Sequence, residues 1–523
     1  MAPGPRPYVL RIVKVAKKWE PRRRKLIINI TFKVLPALTD RTVAVAEAFG
    51  MGVDREQVFP VYKSFCLELG LDDVIYITGP SGSGKSVLLH ALKDALGPLA
   101  ADMADVEVRH GVPIIDTIGK DVEEAIRLLT AVGLSDAITW LRTYDELSDG
   151  QKYRYRLAKL LEGGSRVWVC DEFCSTLDRD TAKVVAFNIQ RLARKLKRGL
   201  IVATAHSDLF NDLRPSIYIV KGLGPDVSIH YYPNKPSGEC SIAREITFCL
   251  ASSDQERSEA LRLVERWHYR GRRPPFKHVF VAKRGNRVVG AVLLSPPYVS
   301  CWGRSLLFKR VPGLRELNRW LYTASRVVLH PMYRGIGLGS RLLRAALMAS
   351  DRPYVELVAV MARYNPFAEK AGMVKVGVKG PDPRLEEAVK ALMALGLDDH
   401  LMASERYNMQ FLSSLPEGGI RAVKEALSKL RNLGLFRSMP ALRSMGYPSV
   451  GAWEEAVKRA SLRELARLLA TLASIRARKV YLIWRDPRLA PGRCPLDELL
   501  RPKWRELLLG GGLGHEQGEG PRS

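Results

Sequence analysis

Apolar positions along the chain follow two spacings, and the changes between them divide it. Tyr8 to Val15 and Leu26 to Val34 are apolar, β-branched runs separated by the basic stretch Lys17 to Lys25, and both predict strands. Val74 to Thr78 is short and leads straight into glycines, the pattern of a buried parallel strand feeding a turn. Strand and helix patterns then alternate to about Ile219, which predicts an α/β sheet. A Gly- and Pro-rich stretch, Gly222 to Gly238, predicts a boundary. A second alternation follows. It comprises strand Ile246 to Leu250, helix Gln255 to Tyr269, strands His278 to Lys283 and Val288 to Leu294, an Arg-rich insertion, strand Arg326 to His330, a helix, and strand Val355 to Val360. From Gly418 to about Leu509, Ala, Leu and Arg recur every three or four residues, which predicts helices. The glycine-rich tail predicts disorder. The reading is an α/β multidomain chain with parts at 1–235, 240–415, 416–509 (helical) and 510–523 (disordered).

Composition adds a partner and a compartment to this picture. The chain has 523 residues, of which 46% are apolar, enough for several cores. Lys and Arg number 82 against 55 Asp and Glu, a formal charge of +27, which predicts a polyanionic partner, RNA ahead of DNA. No run approaches the roughly 18 apolar residues of a membrane span, and charges break the first 26 residues before a signal core can form. The expectation is a soluble cytoplasmic protein that does not engage a membrane. Seven scattered cysteines lack metal-site spacing and read as reduced, buried thiols. Few Asn and Gln beside abundant Arg is a bias of proteins from hot environments.

Two stretches carry phosphate chemistry. The first, Gly79-Pro80-Ser81-Gly82-Ser83-Gly84-Lys85-Ser86, fits G-x-x-x-x-G-K-[ST] between a strand and a helix. Its glycines let successive N–H groups face a phosphate, Lys85 reaches the terminal oxygens, and the Ser86 hydroxyl completes a Mg²⁺ shell. Downstream, the strand Val167 to Cys170 ends in Asp171 and Glu172. Leu147-Ser148-Asp149-Gly150-Gln151 opens a helix before it, Asp178 follows it, and His206 follows the strand Leu200 to Thr204.

This order resembles the ATP-binding cassette (ABC) ATPases over roughly Tyr8 to Val220. The resemblance implies ATP on Gly79 to Ser86, Mg²⁺ on Ser86 and Asp171, Glu172 as general base and His206 as the switch histidine. Ser148, Gly150 and Gln151 look like the signature that meets the γ-phosphate of a facing protomer, and Asp178 like part of the D-loop. One signature with one cassette implies a homodimer. Asp149 replaces the usual first signature glycine. No glutamine occurs between Ser86 and Leu147, where Asp116 is the candidate substitute, and this loss argues against a transporter component. Of Phe49, Phe59 and Tyr62, upstream of the glycines, each reads as ordinary core and none is assigned to adenine.

The second stretch follows the strand Arg326 to His330. Arg334-Gly335-Ile336-Gly337-Leu338-Gly339-Ser340 heads an amphipathic run, and Arg334, Gly337 and Gly339 fit R/Q-x-x-G-x-G/A. With Asn365 to Met373 it resembles the GCN5-related N-acetyltransferases (GNAT) over about Ile246 to Phe411. The resemblance implies acetyl-CoA with its diphosphate on this turn, strands that splay for the pantetheine arm with Val328 and Leu329 facing it, and Asn365 holding the cofactor or the next helix. The family's thiolate-protonating tyrosine falls at Ala368. Substitutes are Tyr364, Tyr333, His268, Tyr269, His330 and Glu356, of which His268, Tyr269 and Tyr364 are the catalytic candidates and the Trp267-His268-Tyr269 cluster is the first to mutate.

From Arg270 through Arg287, both counted, stand seven Lys or Arg and no acid, and Arg304, Lys309, Arg310, Arg315 and Arg319 follow. Interleaved Trp267, Tyr269, Phe276, Trp302 and Trp320 predict base stacking beside phosphate contacts. The combination resembles archaeal ABC-type ATPases fused to acetyltransferases. It implies ATP-gated transfer of acetyl to an amine, on nucleic acid in the first reading. A protein amine, and an ATP-driven clamp with a non-catalytic second domain, are the alternatives.

Overall fold

The computed structural model describes residues 11–20, 25–34, 37–53, 57–268, 273–363, 365–430, 450–476 and 478–510. Tyr269, Arg270, Arg272, Tyr364 and the tail 511–523 lie outside the described residues. Two compact units result, one of 1–273, 279–292 and 326–342, the other of 274–278, 293–325 and 343–523. The stretch expected as a boundary, Gly222 to Gly238, therefore falls inside the first unit. The reason is a strand within it, Val227–Tyr231, which pairs antiparallel with Ile217–Lys221.

In the first unit β1 (Arg11–Glu20), β2 (Lys25–Val34) and β3 (Gln57–Glu68) form an antiparallel sheet. β1 runs on through Lys17 and Lys18, expected as a separator, because its ladder with β2 joins backbone groups and continues to Glu20 opposite Lys25. A second sheet has the order β5 (Ala100–Asp102), β6 (Val167–Cys170), β7 (Gly199–Thr204), β4 (Val74–Thr78), β8 (Ile217–Lys221), β9 (Val227–Tyr231), parallel apart from β9. β4, β6 and β7 are buried at every position, as strands covered on both faces must be. Helix Lys85–Leu96 covers one face through Leu88, Leu89 and Leu92. Helices Val122–Ala131, Asp149–Glu162 and Arg179–Lys195 cover the other. Register then fixes the chemistry's address. Thr78 lies opposite Thr204 and Cys170 opposite Val202, so Gly79, Asp171 and the segment before His206 leave from one carboxyl edge. The unit also contains β10 (Ile246–Leu250), β11 (His278–Arg284) and most of β12 (Arg287–Ser295), and the C-terminal half of β13 (Leu321–Leu329).

In the second unit the start of β13 pairs in parallel with β14 (Tyr354–Ala359) from Leu321·Tyr354 to Thr323·Glu356, where the ladder stops. β15 (Val374–Lys379) and β14 both pair antiparallel with β16 (Lys479–Arg485). The region expected to be helical thus contains a strand. Its Val480 to Trp484 is a short apolar run whose period cannot separate strand from buried helix, and pairing on both sides decides. Between β15 and β16 the helices Pro383–Ala394, Glu405–Ser414, Glu417–Ser428, Val450–Arg459 and Leu462–Arg476 share a core of Leu392, Phe411, Leu427, Trp453 and Leu469.

Glu356, a candidate acid/base group by sequence, is fully buried in this unit and its oxygens are taken. Arg304 Nε and Nη2 donate to Oε2 and Oε1 at 3.0 and 2.6 Å, Thr323 Oγ1 donates to Oε1 at 2.8 Å and Tyr481 Oη to Oε2 at 3.1 Å. Arg304, expected among the phosphate contacts, is equally buried. Trp302, 5.9 Å from the Tyr481 ring, and Trp320 pack against the same core, so neither is presented for base stacking. Arg304→Met leaves the Glu356 carboxylate buried without its counter-charge and should cost about 3 to 5 kcal/mol. The check is a lower urea midpoint than for the unsubstituted chain.

Candidate functional site

The turn after β4 is shaped by contacts that exclude side chains. At Gly79, φ is 153°, and a Cβ there would stand 2.0 Å from the Lys221 carbonyl oxygen. At Gly84, φ is 98°, and a Cβ would meet Val61 at 2.5 Å. The buried Tyr62 donates its hydroxyl to the Gly84 carbonyl at 3.0 Å, which makes it core support for the turn. Buried Lys221 sets its ammonium 5.1 Å from the Tyr62 ring and donates to the carbonyls of Gly222 (3.0 Å) and Gly224. Phe49 and Phe59, also read as core, are 77% and 51% exposed instead. Phe49 caps the helix Asp40–Ala48, and for Phe59 a β-run pattern cannot assign a strand's outer face without its neighbours.

The N–H groups of Ser81, Gly82, Gly84, Lys85 and Ser86 have no acceptor among the described residues. The Ser83 hydroxyl is buried without a partner. Lys85 donates to the Pro80 carbonyl at 2.7 Å. Burial lowers the pKa of its ammonium, while Asp171 and Glu172 pull it upward, which brings both acids within its field. These groups suit a polyphosphate. Among the described residues no three His, Cys, Asp or Glu gather as a metal cage. A hard cation on Ser86 and Asp171 would draw its other ligands from phosphate and water, as Mg²⁺ does.

Beyond β6 the backbone is strained. Glu172 (φ 45°) and Cys174 (φ 57°) are left-handed, held by Glu172 N–H on Asp171 Oδ1 (2.9 Å), Phe173 N–H on the Ala203 carbonyl (2.8 Å) and Cys174 N–H on Tyr153 Oη (2.8 Å). Glu172 remains exposed. The His206 carbonyl accepts from Tyr76 and, at 3.4 Å, from Thr78, so the His206 segment is tied to the strand that feeds the glycines. Asp178 caps helix Arg179–Lys195 by accepting from Thr181 N–H at 2.9 Å. Gln151, expected at the ligand, accepts from Ser148 N–H at 3.0 Å and so shapes its own loop. Gly150 abuts the segment before Asp178, where a Cβ would meet Leu177 at 3.2 Å. Ser148 and Asp149 are exposed, and among the described residues no hydrogen bond joins Ser148, Asp149 or Gly150 to Gly79–Ser86. Asp116 is the exposed last residue of the 3-10 turn Ile114–Asp116 and makes no hydrogen bond to the glycine turn among the described residues.

The second turn repeats the first in outline. Gly335 and Gly337 have φ of 87° and 85°, and from Gly335 through Ile336, Gly337, Leu338 and Gly339 to Ser340 no N–H has an acceptor among the described residues. Arg334, expected on the diphosphate, points elsewhere. Nε donates to the Leu329 carbonyl at 2.9 Å and Nη1 to the Ser135 carbonyl at 2.5 Å. Burial lowers its pKa, against the pull of Asp136. Leu329 is also reassigned. It lies beneath the turn, 2.5 Å from where a Gly290 Cβ would be and 3.6 Å from one on Gly339. Strand alternation sends buried Val328 to the opposite face, so the two cannot both line one groove.

Among the acid/base candidates, His330 stands beside this turn, its ring 5.5 Å from Trp267 and 5.9 Å from Tyr333. Burial and then Arg287, Arg334 and Arg266 hold its pKa below the usual histidine value, so it is neutral at pH 7. His268 is half-buried at the C-cap of helix Asp254–Trp267, its N–H on the Val264 carbonyl at 3.0 Å. Asn365 is exposed, and Ala368 is fully buried and carries no hydroxyl.

Residues 242–370 match the acetyltransferase (GNAT) family. A methionine import ATP-binding protein of Clostridium tetani is 26% identical over 200 residues, 31% of this chain and 62% of the relative, so the chain spans less than two thirds of that protein. A cytochrome c biogenesis ATP-binding export protein of Roseobacter denitrificans is 30% identical over 166 residues, 29% of this chain and 79% of the relative. The dimeric structure of a bacterial ABC transporter cassette is matched at 15% identity and a TM-score of 0.28, over 34% of this chain and 92% of that one. Both named relatives are bacterial.

Gly79→Ala drives a methyl into the Lys221 carbonyl and should weaken ATP binding more than tenfold. Gly82→Ala meets no atom within 4 Å, carries only the cost of its φ of 76°, and should lose less. Titration of both variants with a fluorescent ATP analogue gives the order.

Proposed function

Since the chain belongs to the ABC ATPases through its N-terminal part and carries a GNAT-family acetyltransferase domain behind it, we propose an ATP hydrolase coupled to acetyl transfer onto an amine. The observation that carries this reading is the pair of glycine turns, each with a run of unpaired N–H groups at the head of a helix. ATP supplies a cleavable phosphoanhydride and acetyl-CoA an activated thioester when bound. Ser81 to Ser86 cradle the phosphates, and Ser86 with Asp171 holds Mg²⁺. Exposed Glu172 takes a proton from the attacking water, and His206 follows the strand that orders this edge. The amides of Gly335 to Ser340 hold the CoA diphosphate. His330, neutral and beside that turn, accepts the proton of the incoming amine in preference to Glu356, whose lone pairs are occupied.

Exposed Ser148 and Asp149, unconnected to their own glycine turn, favour a homodimer in which each signature completes the partner's ATP site. Exposed Phe59, on the strand that carries Val61 to the turn, is the side chain we assign to adenine. The acceptor is an amine on a polyanion, RNA ahead of DNA, supported by the charge of +27 and by exposed Lys309, Arg310, Arg315 and Arg319. Reduced cysteines and both cofactors suit the cytoplasm. Among the described residues no helix is long and apolar enough to cross a membrane. The transport roles in the relatives' names are not carried over, because the interval from Ser86 to Leu147 lacks glutamine.

Glu172→Gln should keep ATP affinity and lower turnover by about 10² to 10⁴. Light scattering should then show an ATP-dependent doubling of mass, and a mass that never doubles refutes the dimer. Incubation with labelled acetyl-CoA, followed by separation of RNA, DNA and protein, should place the label on RNA. Label on protein alone selects the protein-amine alternative, and CoA binding without transfer to any fraction selects the non-catalytic clamp.

A further inference from the structure

Helix Arg179–Lys195 touches the surroundings of both glycine turns. It has 17 residues and so spans roughly 25 Å. At its start Arg179 makes a two-point ion pair with Asp208, two residues past His206, with Nε at 3.0 Å from Oδ2. This pair holds the Asp208 carboxyl below its usual range although burial opposes it. The helix therefore begins where the segment that follows β7 ends. One residue on, Asp180 pairs with Arg284 at the end of β11, which also pairs with Glu245 at 2.7 Å.

Two turns further along, Asn188 faces the second turn. Its Nδ2 is buried without a partner, and a Cβ on Gly335 would lie 2.8 Å from it. The adjoining Arg334 reaches Ser135, whose hydroxyl donates to the Pro331 carbonyl at 3.3 Å. The turn Gly335–Ser340 is thus seated on elements of the nucleotide-binding sheet's own helical cover, with glycine where any side chain would collide.

We propose that this helix transmits the nucleotide state of Gly79–Ser86 to the turn Gly335–Ser340, so that a nucleoside triphosphate at the first changes the affinity of the second for a CoA diphosphate. The proposal rests on the reading above, that the turns bind these two ligands. A close-packed contact cannot absorb a shift of the helix by compressing, so displacement at Arg179 must re-aim the amides beside Asn188. Arg334 and Asn188 act here as positioning residues, not as catalytic ones.

Calorimetry of acetyl-CoA binding to the full chain, with and without Mg²⁺ and a non-hydrolysable ATP analogue, tests it. The Kd for acetyl-CoA should change by at least about fivefold, and by linkage acetyl-CoA should change the Kd for the analogue by the same factor. Asn188→Ala, which deletes the buried, unpartnered Nδ2 beside Gly335, and Arg284→Ala, which frees Asp180, should bring that factor towards one, and in Arg284→Ala each ligand alone binds as before. Two ligands that bind the unsubstituted chain with no mutual effect overturn the proposal alone. Full coupling retained in both variants overturns the helix as its route. Failure of acetyl-CoA or the analogue to bind at all overturns the two-ligand reading and the proposal with it.

Discussion

A glycine turn between a strand and a helix leaves the first N–H groups of that helix without partners, and such groups in a partly buried place favour an anion. This chain builds that situation twice, after β4 and after β13. In both cases glycines with positive φ let successive amides face the same way, and the surrounding residues act to hold the turn open. Tyr62 and Lys221 support the first from behind, while Leu329 supports the second from below. The functional reading descends from this backbone constraint more than from any single reactive side chain.

The charged groups divide by where they lie. Those at the carboxyl edge of the parallel sheet stay exposed or partly exposed, as groups that meet phosphate and water must. Two charge clusters of the second unit are used up internally. Arg304 and Glu356 satisfy each other among Thr323 and Tyr481, and Arg485 donates to both oxygens of Asp497 at 3.0 and 2.8 Å while Asp497 also accepts from Tyr354. Both clusters stand on β14, β16 or their neighbours, so the late-arriving strand β16 is held by paired charges as well as by ladders on its two sides. Arginine abundance in this sequence is therefore only in part a surface property.

Much of the candidate site is legible in the sequence because its signal is local. Gly79 to Ser86 and Arg334 to Ser340 need residues of fixed type at fixed spacing, and Asp171, Glu172 and His206 follow apolar strands whose ends are visible in the pattern. What was not legible depends on distant partners. Arg334 is turned aside by carbonyls at Leu329 and Ser135, Glu356 is claimed by an arginine 52 positions away, and the exposed face of Phe59 follows from sheet pairing. β16 was hidden for a related reason, since its neighbours in the sheet precede it by about a hundred residues and the intervening stretch is helical.

The sequence by itself determined the order of elements, the two glycine turns and the acids beside the first, because backbone geometry at a glycine or a strand end is set by neighbours along the chain. Only the tertiary structure decided which polar groups remain available, where the chain divides into compact units, and which helix packs beside Gly335 while pairing with the segment after β7. Those outcomes hinge on burial and on who reaches a given carbonyl or carboxylate first, and both are properties of packing in three dimensions.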